Sequence, residues 1–138
     1  MSHLSASLAG LLGFVVYFAI SLVMLVVFKY VYTWITPHDE WKLVKEDKNT
    51  AAAIGLVGAV IGFALALASA ATNSVSLMDF VIWGIVALVA QTLAFAIVRF
   101  LLMPRIVQRI NDGEVAAGIV LGGTSVAVGL LNAACMTY

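Results

Sequence analysis

Charge is scarce in this chain. Seven Lys or Arg and seven Asp or Glu in 138 residues make 10% charged, against roughly 25% in soluble domains. Hydrophobic residues reach 64% and the mean hydropathy is +1.12. A water-soluble fold of this length could not cover so much apolar side chain, so the chain belongs in lipid. Net charge is zero, which leaves no basic footprint and excludes nucleic acid as a partner. A single cysteine, Cys135, excludes an intrachain disulfide and any zinc-ligand spacing; it reads as a small packing residue. No phosphate-binding loop, dinucleotide fingerprint or nucleophile elbow is present. The expectation is a protein without catalytic residues, metal or cofactor, and not an enzyme.

What is present is a set of long uncharged runs. Leu4 to Phe28 carries no charge, and neither does the stretch between Lys48 and Asp79. A crossing helix needs about 20 mostly apolar residues, and four spans fit: Leu8–Trp34, Asn49 or Thr50 to Ala71, Leu77–Met103, and Gly113–Met136 with Asp112 as cap. The first run is too long and lacks the basic flank of a cleavable leader, so it reads as a retained span. The two prolines, Pro37 and Pro104, stop the first and third spans. After each comes a short amphipathic connector. Thr36–Lys48 carries Trp41, Lys42, Leu43, Val44 and Lys45; Arg105–Ile110 carries Ile106, Val107 and Ile110 on one face, with Arg109 among them. Ser76-Leu77-Met78-Asp79 is a capping-box-like start for the third span.

The chain also echoes itself. Thr50–Ala70 set over Glu114–Ala134 matches Ala52 to Ala116, Gly58 to Gly122, Leu67 to Leu131 and Ala70 to Ala134. The fold expected is all-α and membrane-embedded: four helices from two tandem two-helix repeats, about 8–72 and 76–138, in one domain over 1–138. Every Lys and Arg lies in or beside the two connectors, which the positive-inside rule puts in the cytoplasm with both termini outside. Both repeats then enter the membrane in the same sense, as parallel repeats do.

Between helices in lipid, close packing depends on small residues. Gly58 and Gly62 on the second span and Gly118, Gly122 and Gly129 on the fourth are the packing candidates. The bulky spans (Phe14, Phe18, Leu22 and Leu25 on one, Phe80, Trp83, Leu88 and Phe95 on the other) are expected to face lipid. A second small stripe, Ala51, Gly55 and Ala59, points to homo-oligomers. Polar groups at membrane depth are functional candidates by default: Gln91, Thr124, Ser125 and Asn132. Arg99 reads as an interfacial group. No Asp, Glu or His lies at midspan, where a proton-coupled carrier would need one. His3 and His38 fall on opposite sides, and Asp39 and Glu40 beside His38 read as a solvated helix start.

Several stretches carry a resemblance. They are Ile35-Thr36-Pro37-His38-Asp39-Glu40-Trp41, Asn49-Thr50-Ala51-Ala52-Ala53-Ile54, Gly62-Phe63-Ala64-Leu65, Ile82-Trp83-Gly84, Gln91 and Gly129-Leu130-Leu131-Asn132-Ala133-Ala134-Cys135-Met136-Thr137. Together they resemble the YjfL-type family of small bacterial inner-membrane proteins, a duplicated domain of unknown function. The resemblance implies a bacterial cytoplasmic membrane, four spans, no established activity, and a link to envelope stress through neighbouring genes. Two functions compete. One is a non-enzymatic membrane scaffold or assembly partner whose connectors (Trp41, Lys42, Lys45, Arg105, Arg109) dock a cytosolic protein or anionic lipid. The other is an oligomeric channel or small-molecule transporter lined by the midspan polar groups.

Overall fold

The structure, a computed structural model, describes residues 2–36 and 40–136. Helix forms wherever the uncharged runs are long, since backbone groups in lipid must be satisfied within the segment. The elements are α1 (Ser2–Ile35), α2 (Glu40–Lys45), α3 (Thr50–Asn73), α4 (Leu77–Ile97) prolonged by a π-helical turn (Val98–Leu102), α5 (Ile106–Asn111) and α6 (Val115–Cys135). Among the described residues, four helices are long and apolar enough to cross a membrane.

The caps explain most boundaries. Asn49 accepts from the Ala52 amide at 3.0 Å and starts α3. Ser76 accepts from the Asp79 amide at 3.1 Å, and Asp79 accepts in return from the Val75 amide at 3.0 Å. This is the capping box read from the sequence, with its reciprocal bond one residue earlier than usual. At α6 the expectation fails: Asp112 closes α5, and the N-cap is Glu114, with no side-chain bond to the helix. Gly113, at φ 77°, makes the left-handed turn between α5 and α6. Before Pro104 the helix widens, the Met103 amide reaching the Val98 carbonyl at 2.7 Å. A proline clashes with the carbonyl four residues back, and the π turn absorbs that clash. The proposed N-terminus of the first connector, Pro37, His38 and Asp39, lies outside the described residues.

Helices α3 and α6 run side by side in the same direction, and α4 closes over them. The expectation of lipid-facing bulk holds for most of α1 and fails for α4. Phe14, Phe18 and Leu22 are exposed and Leu25 half-buried against the core, while Phe80 and Phe95 are buried and Trp83 and Leu88 half-buried. The reason is that α4 supplies the third wall that two small-residue helices cannot make for themselves. Helix α1 is the outermost. Tyr17 stacks on Phe80 at 5.2 Å, and Tyr32 meets Phe95 edge-on at 6.2 Å. Both pairs are 63 positions apart in sequence (17 to 80, 32 to 95), so α1 is parallel to α4 in constant register. On that register about twelve residues of α1, roughly 18 Å, overshoot the start of α4, and residues 3–15 are all exposed.

Candidate functional site: a glycine seam and its buried amide

The α3–α6 seam is a contact between backbones. A Cβ on Gly58 would collide with the Gly122 main chain, and one on Gly129 with the Gly62 main chain. Glycine is the residue that permits this approach. Gly118 stands against the Ala51 backbone and Gly122 against the Ile54 carbonyl in the same way. The second small stripe is used here too. Ala51 and Ala59 are fully buried, and Gly55 faces the Leu121 side chain. The residues that pointed to a second copy are therefore consumed inside one chain.

At the centre of the bundle Gln91 enters from α4. It is fully buried, and its Nε2 donates to the Ser125 carbonyl at 2.7 Å. Gly62 makes room for it, since a Cβ there would strike both the Ser125 carbonyl and Gln91 Nε2. One amide thus ties α4 to the seam where α3 and α6 touch. Gln91 Oε1 and Ser125 Oγ, both buried, have no hydrogen-bond partner, and neither has Asn132 Nδ2. Asn132 and Thr124 are half-buried. The four polar candidates are thus not assembled into one cluster: Gln91 and Ser125 meet, Thr124 precedes Ser125 on the next face, and Asn132 lies two turns further along α6.

The connector end has its own order. Asn49, besides capping α3, donates to the Ile110 carbonyl at 2.7 Å, joining α5 to the start of α3. Arg109 forms a bidentate ion pair with Glu114. The hydrogen bond from Arg109 holds the Glu114 carboxyl below its ordinary range, and Glu114 raises the Arg109 guanidinium in turn. Ile106 and Ile110 are buried and Val107 half-buried, as the amphipathic reading required. On α2, Leu43 and Val44 are half-buried, whereas Trp41 is 45% exposed with the Lys29 ammonium 4.5 Å above its ring. Lys42, Lys45 and Arg105 are exposed. Arg99 lies in the π turn, 5.5 Å over the Phe100 ring. Cys135 is exposed, where the sequence reading made it a packing residue.

Three partnerships escaped the sequence. Asn49 read only as a cap, with nothing to name Ile110. Arg109 and Glu114, opposite charges five apart across a turn, carried a readable signal. Ser69, which donates to the Ala133 carbonyl at 2.7 Å, looked like any small residue of a Gly/Ala-rich helix.

The domain of unknown function DUF350 matches residues 6–136. The chain belongs to the DUF350 family. It is similar to the UPF0719 inner membrane protein YjfL of Escherichia coli strain K12, 45% identical over 131 residues, covering 95% of this chain and 98% of that one. The same figures hold for the protein of that name from Escherichia coli O157:H7. No solved structure matches. The family is one of inner-membrane proteins without an assigned activity, and four apolar helices suit that membership.

Proposed function

We propose that this DUF350 protein is a non-enzymatic scaffold or assembly partner in the bacterial inner membrane, linked to envelope stress. Its two tandem parallel repeats hold both connectors in the cytoplasm and both termini outside. The observation that carries the reading is the Gln91–Ser125 bond: the midspan amide joins packed helices. With the interior given to packing, the exposed chemistry is at the connectors, in Trp41, Lys42, Lys45 and Arg105. The repeat draws support from α3 and α6 lying parallel and meeting at Gly58 and Gly122, the positions the self-alignment pairs. Pull-down from native membranes tests the docking role. Replacing Trp41, Lys42 and Lys45 by Ala should release the bound cytosolic proteins, and an unchanged set of partners would sink it. Cys135 tests the orientation, because an impermeant maleimide should label it in intact spheroplasts.

A second reading, an oligomeric channel or small-molecule transporter, draws on the unpartnered Gln91 Oε1, Ser125 Oγ and Asn132 Nδ2. Flux or conductance in proteoliposomes that disappears in Gln91→Leu would favour it over the scaffold.

A further inference from the structure

On the side turned away from α4, helices α3 and α6 leave an apolar groove of about 400 Å³ lined by Ala53, Ile54, Val57 and Ile61 with Gly123 and Val126. At its connector end lies a second hollow of about 490 Å³, polar in character, lined by Asp47, Lys48, Asn111 and Asp112 among others. Helical spacing sets the two in line along one face. Thr50 and Val115 line the polar hollow. Residues three and four further along, and again beyond those, run down one face as Ala53/Ile54, Val57 and Ile61 on α3 and as Ile119, Gly122/Gly123 and Val126 on α6.

We propose that this face binds one zwitterionic aminophospholipid, with an acyl chain in the groove and the head group in the polar hollow. Three features select that ligand. From Thr50 to Ile61 the groove runs about 16 Å, half of the roughly 30 Å hydrocarbon core, which is the reach of a single leaflet. The hollow carries one ammonium (Lys48) and two carboxylates (Asp47 and Asp112). A phosphate can pair with the first and an amine with the others, whereas an anionic head would face an excess of negative charge. A second copy seated here about a twofold axis would set the same acid-rich hollows against each other. The site is independent of the scaffold reading, and it stands whichever side the connectors face.

Native mass spectrometry of the full chain released from nanodiscs of mixed phosphatidylethanolamine and phosphatidylglycerol tests it. The expected result is one retained phosphatidylethanolamine per chain. Gly123→Leu fills the groove, and nothing lies within 4 Å of a Cβ at that position, so the variant should fold and retain about tenfold less lipid. An unchanged melting temperature would certify the fold. Asp47→Asn with Asp112→Asn should leave lipid bound while lowering the phosphatidylethanolamine preference about two- to fivefold, the worth of exposed ion pairs. Equal retention of both lipids by the parent chain, or undiminished lipid in Gly123→Leu, overturns the proposal. A Gly123→Leu variant that loses a dimer and no lipid assigns the groove to a second copy instead.

Discussion

The seam between α3 and α6 and the flank occupied by α1 are made for the same solvent and behave in opposite ways. The α1 span is the most hydropathic of the four and the least buried; the α6 span is the least hydropathic and is far better buried than α1. In water that ordering would be perverse. In lipid it follows from size, because a leucine gains nothing by leaving one hydrocarbon for another, and only surfaces that fit more closely than lipid chains do are drawn together. Glycine backbones fit that closely. The large side chains of α1 do not, apart from the line of Tyr17, Phe28 and Tyr32, which meets aromatic rings, and Met24, whose methyl lies against Gly84.

The sharpest way to break this contrast is to exchange glycine for leucine on each side of it. Gly58→Leu places a branched side chain against the Gly122 backbone, and no rotamer escapes a main chain. Overpacking of this kind should cost about 3 kcal/mol, or prevent assembly altogether. Gly13→Leu in α1, where a Cβ meets nothing within 4 Å, should stay within about 0.5 kcal/mol of the parent. Reversible unfolding in mixed detergent micelles measures both. Equal losses would mean that α1 is packed as tightly as the seam.

Much of this division was legible in the sequence. Uncharged length gave the four spans, and steps of four between glycines gave the seam. Two things were not legible. Phe80 and Phe95 look as lipid-suited as Phe14 and Phe18, and only the position of α4, over the seam and beside Tyr17 and Tyr32 of α1, buries them. Ala51, Gly55 and Ala59 form a stripe as persuasive as Gly58 and Gly62, yet a one-dimensional pattern cannot say whether its partner is another chain or the next helix. For the candidate site, Gln91 stood out by its type, since an amide at midspan is rare. Its partner did not, because the acceptor is a backbone carbonyl that any residue carries.

Next in size is the connector end, where Asn49 serves the seam at its entrance. Asn49→Ala removes the cap of α3 and the bond to Ile110 together, and should cost about 1–2 kcal/mol. Hydrogen exchange should show α5 and the first turn of α3 loosening in concert while α1 is unaffected. Loosening of α3 alone would mean that the tie to Ile110 carries nothing.

A smaller effect is expected at the heart of the seam. Gln91→Leu deletes one interhelical hydrogen bond and leaves a residue of similar bulk. Such bonds within membranes contribute about 0.6 kcal/mol on average, because the Ser125 carbonyl keeps its helical partner. A loss near that value, by the same micellar unfolding, fits an amide that holds helices together. A gain in stability would fit a polar group kept for another purpose at a structural cost.

The smallest effect concerns the two entrances to the seam, which are built differently. Helix α3 begins on a neutral side chain, Asn49, and its start should not respond to pH. Helix α6 begins beside the Arg109–Glu114 pair. The hydrogen bond from Arg109 depresses the Glu114 carboxyl, so the pair stabilises the fold above the ordinary carboxylate range. That contribution fades as pH falls through the lower, folded value. Stability at the start of α6 should therefore be flat around neutrality and decline only in acid, more weakly at high salt because both groups are partly exposed. Glu114→Gln should remove this part of the acid response while leaving exchange at the start of α3 untouched at every pH. If both entrances lost protection together in acid, the seam would open as one unit and the pair would have no local role.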